Sequence, residues 1–260
     1  MAIKVAINGY GRIGRNILRA LYEAGRTKEI QIVAVNDLGN AETNAYLTRY
    51  DTVHGKFTGT VEVDGNYMIV NGDKIRVFAE RDPSRLPWGE LGIDVVHECT
   101  GIFTKQEDAG KHIKAGAKFV IISGPTSSGD VPTIVHGVNR PGKDTAIISC
   151  ASCTTNNIAP VMEVVNRRIG IKKAIMTTVH AYTATQELVD APGGKDMRRG
   201  RAAAANVVPA STGAATATTK ALPELAGRFD GTSLRAPVPV GSIADIVILT
   251  ERPTTVEEIN

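Results

Sequence analysis

The chain has 260 residues, of which 42% are hydrophobic and 22% are charged, a balance typical of a folded globular protein with room for two domains. The formal net charge of +3 is too small to predict nucleic-acid binding, and no apolar stretch is long enough to predict a membrane-spanning helix. Three cysteines do not form the framework of a secreted, disulfide-rich protein, and the first residues show no signal-peptide pattern. We therefore expect a cytoplasmic protein.

The first third of the chain alternates predicted strands and helices. Hydrophobic runs predict strands at residues 3–7 and 30–35, and an amphipathic pattern predicts a helix over residues 11–24 between them. Further strands are predicted at 74–79, 94–98 and 118–123, with a helix at 106–115. Units of this kind form a parallel sheet with right-handed crossovers. The predicted fold class of this part is α/β, with a mostly parallel sheet of the Rossmann type.

A G-x-G-x-x-G pattern at residues 9–14 lies between the first predicted strand and the first predicted helix. In this setting Gly9 permits a tight turn, Gly11 lets the backbone approach a pyrophosphate, and Gly14 lets the helix pack closely on the sheet. Asp37 follows the second predicted strand, where a carboxylate accepts hydrogen bonds from both ribose hydroxyls and repels a 2′-phosphate. The pattern predicts a dinucleotide site that prefers NAD to NADP.

The hydrophobic pattern changes after residue 151. Longer strand-like runs are predicted at 173–180, 232–238 and 243–250, which is typical of an α+β domain with a mixed or antiparallel sheet. We place the boundary at Ala151, with an NAD-binding domain at residues 1–151 and a second domain at 152–260. Thr255 and Glu258 have the spacing of a capping box, which normally opens a helix. Because the chain stops soon afterwards, we expect the second domain to be C-terminally truncated.

The segment S-C-A-S-C-T-T-N-N at residues 149–157 places Cys153 between a predicted strand and a predicted helix. A cysteine in the first helical turn meets the positive end of the helix dipole and unpaired backbone N–H groups, which favour the thiolate. Neighbouring hydroxyl and amide side chains suit an anion site. Cys153 is therefore a candidate nucleophile. The alternatives are a buried cysteine acting as a small hydrophobe, and a redox or metal site formed with Cys150.

Three motifs carry a family resemblance. The segments S-x-A-S-C-T-T-N at 149–156, T-T-V-H-A-Y-T-A-T-Q at 177–186 and P-A-S-T-G-A-A at 209–215 resemble those of the phosphorylating glyceraldehyde-3-phosphate dehydrogenases. The resemblance runs from Ile3 to the last residue. It implies NAD-dependent oxidative phosphorylation of glyceraldehyde 3-phosphate to 1,3-bisphosphoglycerate through a thioester on Cys153, in glycolysis or gluconeogenesis. It also implies that His180 pairs with the thiolate and then acts as the base.

The resemblance further implies the ligand-binding residues. Those along the NAD cofactor are Asn8, Gly9, Gly11, Arg12, Ile13, Gly14, Asp37, Arg81, Thr100 and Ser123, and Pro192 fits a preference for NAD. Thr183 and Arg235 match the substrate-phosphate positions, while Ser152, Thr154, Arg199, Thr212 and Gly213 match the positions for inorganic phosphate. Arginine suits both pockets because its fork of donors matches a phosphate. The expected assembly is a homotetramer in which residues 184–202 reach a neighbouring subunit's cofactor.

Some features leave alternatives open. Cys150 stands where relatives usually have asparagine, and we predict that it captures an oxidised Cys153 as a disulfide, unless its Cβ points away. A related erythrose-4-phosphate dehydrogenase is the alternative enzyme, which Thr183 argues against, and a non-catalytic dinucleotide-binding fragment is the alternative from another class. The basic cluster of Lys195, Arg198, Arg199 and Arg201 predicts either local recognition of an anion or a solvated face.

Overall fold

The computed structural model describes residues 1–194 and 196–260, so Lys195 of the predicted basic cluster lies outside the described residues. The chain divides into two compact units. The first comprises residues 1–133 and 141–151, and the second comprises residues 134–140 and 152–260. Within the described ranges, no helix combines the length and the hydropathy that spanning a bilayer would require.

The first unit contains an eight-stranded sheet and a separate two-stranded ribbon. Its strands are β1 (Ile3–Asn8), β2 (Ile30–Asn36), β3 (Tyr50–Asp51), β4 (Gly55–Lys56), β5 (Val61–Asp64), β6 (Tyr67–Val70), β7 (Asp73–Phe78), β8 (Val95–Glu98), β9 (Phe119–Ile122) and β10 (Ile147–Ser149), and its helices are α1 (Arg12–Glu23), α2 (Ala41–Arg49), α3 (Trp88–Leu91) and α4 (Gln106–Lys114). The sheet order is β10-β9-β8-β1-β2-β7-β6-β5, and β3 and β4 form a separate ribbon. In this sheet order, neighbouring strands are parallel from β10 through β9, β8, β1 and β2 to β7. The pairs β7–β6 and β6–β5 are antiparallel.

The central strand β1 is buried on both faces of the sheet. Val5 and Ile7 belong to a core that includes Leu18 of α1, whereas Ala6 belongs to a second core that includes Trp88 of α3. Each of these side chains is at most 3% exposed. Parallel strands covered on both faces require such continuous hydrophobic runs. The cover leaves the carboxyl ends of the strands as the place where a ligand can bind.

The second unit contains a four-stranded mixed sheet. Its strands are β11 (Ile171–Ala181), β12 (Val208–Ala210), β13 (Phe229–Ala236) and β14 (Ser242–Thr250), and its helices are α5 (Cys153–Arg168), α6 (Ala214–Ala221) and α7 (Val256–Ile259). The order is β12-β13-β11-β14, in which β11 and β13 are parallel and the other pairs antiparallel. Helices α5 and α6 pack on this sheet. Thr255 caps α7 by accepting the N–H of Glu258.

The predicted fold class is confirmed, with a mostly parallel sheet in the first unit and a mixed sheet in the second. The predicted elements are present, although their ends differ. The strand predicted at 232–238 is β13, which ends at Ala236 because Pro237 has no backbone N–H for a ladder hydrogen bond. Helix α2 and the antiparallel pair of β5 and β6 are not among the predicted elements; strands of four residues are too short to show a clear period.

Candidate cofactor and catalytic sites

The glycine loop joins β1 to α1. Gly9 has a φ of 89°, and a Cβ there would lie 2.6 Å from the backbone nitrogen of Thr100. A Cβ on Gly14 would collide with the carbonyl oxygen of Gly9 and lie 2.9 Å from Cγ2 of Ile7. A Cβ on Gly11 would meet no atom of the described residues within 4 Å, its chain neighbours aside. The fold therefore requires Gly9 and Gly14, whereas the space beside Gly11 lets a phosphate group approach the backbone.

A cavity of about 370 Å³ opens at the carboxyl ends of β1, β2 and β8. Its lining includes six residues that the sequence predicts for the cofactor: Asn8, Gly9, Gly11, Asp37, Arg81 and Thr100. We call this cavity the cofactor crevice. The other predicted cofactor residues lie beside it, with Arg12, Ile13 and Gly14 in the first turn of α1 and Ser123 directly after β9. Ligands of doubly wound sheets bind at this edge.

Asp37, the first residue after β2, is held by backbone groups at both oxygens. The N–H of Tyr10 donates to Oδ2 at 2.8 Å, and the N–H of Gly39 donates to Oδ1 at 2.9 Å. The carboxylate therefore has a fixed direction before any ligand binds, and each oxygen keeps a lone pair for a ribose hydroxyl. Open space beside Gly11 and an oriented carboxylate at Asp37 are what a dinucleotide needs, so the residues of the crevice fit this cofactor.

Arg12 makes a contact outside the crevice lining. Its Nη1 lies 3.0 Å from Oδ2 of Asp51. Burial would raise the pKa of Asp51, but hydrogen bonds from the N–H groups of His54 and Val53 and the charge of Arg12 lower it to about 2. Any contact of Arg12 with a pyrophosphate must therefore compete with this ion pair. Ile13, on the same helical turn, is 52% exposed.

A buried polar network lies beneath the crevice, and sequence analysis does not predict it. Asn36, Asn8 and Glu98 end the adjacent strands β2, β1 and β8, and each is at most 5% exposed. Their side chains are hydrogen-bonded to one another in that order. The available signal was a polar residue at the end of each of three hydrophobic strands. Parallel strands bring such residues to one edge of the sheet.

Cys153 is the first residue of α5, and it is exposed. Ser152 caps the helix, because its hydroxyl oxygen accepts the N–H of Thr155 at 3.0 Å. The preceding Ala151 has a φ of 59°, an uncommon conformation for a residue with a Cβ, and this turn starts the helix at the thiol. The positive end of the α5 dipole therefore lies at the sulfur.

His180, near the end of β11, lies beside the thiol. Its Nε2 is 3.2 Å from Sγ of Cys153, and its Nδ1 is 2.8 Å from the carbonyl oxygen of Ala181 and 2.6 Å from Nη1 of Arg235. The parallel pairing of β11 with β13 places His180 opposite Arg235. Burial and the nearby charge of Arg199 lower the pKa of Arg235, whereas the interaction with Cys153 raises it. The second unit thus brings together a thiol, an imidazole and two guanidinium groups.

The residues predicted for phosphate lie in two groups of the second unit. In the first, Oγ1 of Thr183 lies 2.9 Å from Oγ1 of Thr185, which accepts a hydrogen bond from Nη1 of Arg199 at 3.1 Å. Thr185 is exposed, Thr183 and Arg199 are half-buried, and together the three side chains offer hydroxyl and guanidinium donors. Such donors suit an anion.

The second group lies where α5 and α6 begin. Oγ1 of Thr212 accepts the N–H of Ala214 at 3.1 Å, and Gly213 is the N-cap of α6. Oγ1 of Thr155 lies 2.8 Å from Oγ of Ser152 and donates to the carbonyl oxygen of Ala214 at 3.5 Å, which joins the two helix ends. Thr154, also predicted for this pocket, is 6% exposed. Two helix N-termini that meet in this way present backbone N–H groups to an anion.

The other two cysteines follow strands of the first sheet. Burial raises the pKa of the Cys99 thiol, after β8, to about 12, and it also raises the pKa of Cys150, after β10. All three cysteines are free thiols. Capture of an oxidised Cys153 by Cys150 stays a prediction.

The chain combines a Rossmann-type unit that has an oriented carboxylate with a second unit that has an imidazole and a thiol at a helix N-terminus. This combination defines a class: oxidoreductases that use a dinucleotide and a cysteine nucleophile. The family model "Glyceraldehyde 3-phosphate dehydrogenase, NAD binding domain" matches residues 3–106, and "Glyceraldehyde 3-phosphate dehydrogenase, C-terminal domain" matches residues 152–260. The chain belongs to the glyceraldehyde-3-phosphate dehydrogenase family.

Curated relatives are similar over the whole chain. "Glyceraldehyde-3-phosphate dehydrogenase, plasmid" of Cupriavidus necator is 55% identical over 263 residues, covering 100% of this chain and 78% of the relative. "Glyceraldehyde-3-phosphate dehydrogenase 1" of Bacillus subtilis and "Glyceraldehyde-3-phosphate dehydrogenase" of Geobacillus stearothermophilus are each 52% identical, covering 100% of this chain and 77% of the relative. The chain is therefore an NAD-dependent oxidoreductase, and the predicted family and cofactor are confirmed.

Proposed function

We propose that this chain catalyses the NAD-dependent oxidative phosphorylation of glyceraldehyde 3-phosphate to 1,3-bisphosphoglycerate, a reaction of glycolysis and gluconeogenesis. The relatives named above are glyceraldehyde-3-phosphate dehydrogenases. The observation that carries the proposal is the distance of 3.2 Å between Sγ of Cys153 and Nε2 of His180 at the N-terminus of α5. An imidazole at this distance can take the thiol proton and return it to a substrate oxygen.

In the first step the thiolate of Cys153 forms a C–S bond with the aldehyde carbon, and His180 protonates the resulting oxyanion to give a hemithioacetal. His180 then removes this proton as the hydride leaves the carbon, which gives a thioester on Cys153. NAD, when bound, accepts the hydride. Inorganic phosphate attacks the thioester carbon and the C–S bond breaks. The acyl phosphate is released, and Cys153 is again a thiolate.

Two anion pockets serve this sequence of steps. We assign Thr183 and Arg235 to the substrate phosphate, and the contact between Arg235 and His180 supports this because it ties the phosphate position to the base. From the family resemblance we assign Ser152, Thr154, Arg199, Thr212 and Gly213 to inorganic phosphate; of these, Arg199 contacts Thr185 in the group that contains Thr183. The meeting of the α5 and α6 N-termini supports this second pocket.

The cofactor assignment concerns the first unit. Asn8, Gly9, Gly11, Asp37, Arg81 and Thr100 form the proposed crevice, with Arg12, Ile13, Gly14 and Ser123 beside it. We propose that residues 1–151 are the NAD-binding domain and residues 152–260 the catalytic domain. A homotetramer in which residues 184–202 reach a neighbouring subunit, and a cytoplasmic location, are proposed from the family resemblance alone.

An activity assay tests the proposal. We expect NADH formation with glyceraldehyde 3-phosphate, NAD and inorganic phosphate together, and a strong fall in turnover when phosphate is omitted, because the thioester is then not released. Erythrose 4-phosphate should be the poorer substrate. Faster turnover of erythrose 4-phosphate would contradict the assigned substrate, and turnover that ignores phosphate would contradict the assigned reaction.

A further inference from the structure

The residues that end β2, β1 and β8 belong to a hydrogen-bond chain that runs from the cofactor crevice into the core. Nδ2 of Asn36 donates to Oδ1 of Asn8 at 2.6 Å, and Nδ2 of Asn8 donates to Oε2 of Glu98 at 2.6 Å. The same Oε2 lies 2.9 Å from Nε2 of His112 on α4. Nε1 of Trp88 donates to Nδ1 of His112 at 3.0 Å. The side chains of Glu98 and His112 are fully buried.

The groups at both ends of this hydrogen-bond chain fix which atom donates and which accepts in each bond. An indole N–H only donates, so Nδ1 of His112 accepts, and the ring proton on Nε2 is donated to Glu98. At the other end, the backbone N–H of Glu80 donates to Oδ1 of Asn36 at 2.8 Å, so Nδ2 of Asn36 faces Asn8. The hydrogen bonds therefore point from both ends toward the carboxylate of Glu98, which accepts.

The second oxygen of Glu98 holds Thr100. Oε1 accepts the backbone N–H of Thr100 at 2.8 Å and also accepts its hydroxyl. The backbone nitrogen of Thr100 would lie nearest a Cβ added to Gly9, at 2.6 Å, and it excludes a side chain there. Asn8, Gly9 and Thr100 all line the cofactor crevice. Glu98 thus connects two separate segments of the crevice wall from beneath.

A buried carboxylate is costly unless its oxygens are hydrogen-bonded, and four donors satisfy Glu98. Two of those donors belong to one crevice residue and a third to another. We propose that Glu98 is a positioning residue for NAD binding, which holds Asn8 and Thr100 in the arrangement that the cofactor requires. This inference rests on the proposed assignment of the crevice to the cofactor.

Glu98→Gln tests the inference, because it keeps the length of the side chain and replaces one acceptor oxygen with an NH₂ group. Whichever way the amide turns, this group faces donors from Asn8 and His112 or from Thr100. We expect the Kd for NAD, measured by calorimetry on the full chain, to rise at least about tenfold. KM for NAD should rise with it, whereas kcat at saturating NAD should change less than about twofold.

His112→Gln is the control for lost stability. It alters the inner end of the network, while Glu98 keeps its donors from Asn8 and Thr100. We expect the melting temperature of His112→Gln to fall by about as much as that of Glu98→Gln, with the Kd for NAD within about threefold of the value for the original chain. An unchanged Kd in Glu98→Gln, or an equal rise in both variants, would overturn the positioning role.

Glu98→Asp replaces Glu98→Gln in this comparison if the latter shows no cooperative melting transition, since aspartate keeps the charge but not the reach. Failure of both variants to fold would assign Glu98 to the fold alone and overturn the inference. Failure of the original chain to bind NAD would instead contradict the proposed crevice, so the two failures are distinguishable.

Discussion

The two proposed sites are held in opposite ways. At the cofactor crevice Asn8 and the underlying Glu98 are each 1% exposed and hydrogen-bonded to each other, and Asp37 is fixed by two backbone N–H groups. At the catalytic site Cys153 is exposed, and Arg199 contacts an exposed hydroxyl, that of Thr185. Fixed groups lose little conformational entropy when a ligand binds, whereas reacting groups need open positions for substrate atoms. The groups proposed to bind the cofactor are thus fixed by the fold, whereas the proposed nucleophile is exposed.

Removal of the thiol should have the largest effect, because the exposed site depends on single groups. We expect Cys153→Ser to lower kcat by at least about 10³-fold, since a serine hydroxyl is a far weaker nucleophile. The Kd for NAD should stay within about twofold. Steady-state assays and calorimetry measure the two quantities. Cys150→Ser is the control and should keep its turnover. Substantial activity of Cys153→Ser would contradict the assigned nucleophile.

Thiol labelling should separate the two regions next. We expect iodoacetamide near neutral pH to modify Cys153 at least about a hundredfold faster than Cys99 or Cys150, because burial raises the pKa values of the latter two and shields them. Their labelling should appear only as the pH rises and deprotonates them. Peptide mass spectrometry at several pH values measures each rate. Equal rates at the three cysteines would remove the contrast between buried and exposed thiols.

A pair of glycine substitutions should divide stability from binding within the crevice. Gly14→Ala should lower the free energy of unfolding by about 1–3 kcal/mol, because its Cβ would collide with the carbonyl oxygen of Gly9. Gly11→Ala should change that free energy by less than about 1 kcal/mol, since its Cβ meets open space and alanine can adopt the backbone φ of −68° at this N-cap. It should instead raise the Kd for NAD. Urea unfolding and calorimetry test both, and a stability loss in Gly11→Ala equal to that in Gly14→Ala would contradict the glycine roles.

The smallest effect is expected at Asp37. Asp37→Ser should relax the preference for NAD over NADP, measured as the ratio of kcat/KM values, by about tenfold, because it removes a charge that repels the 2′-phosphate. Asp51→Asn, a change in a carboxylate that pairs with Arg12, should leave this ratio unchanged. Equal use of both cofactors by the original chain would remove the basis of the argument.

Groups whose chemistry has a local sequence pattern can be predicted from the sequence. The roles of Gly11 and Asp37 follow from spacing within one strand–helix–strand unit, and that of Cys153 follows from its place at the start of a helix. The contact between Glu98 and His112 joins a strand to a helix, and it depends on packing that no periodicity contains. The role of His180 is predicted from the family resemblance and not from the residue pattern.

The parallel pairing of β11 and β13 limits the insertions and deletions that these two strands can accept during evolution. His180 faces Arg235, although 55 positions separate them, because the two strands run in unbroken register from Ala174 to Ala181. One residue inserted within β13 would turn Arg235 to the other face of the sheet, since successive side chains alternate. Among relatives, length changes in the loops between these strands are therefore compatible with activity, whereas a gap inside either strand should mark a protein that has lost this chemistry.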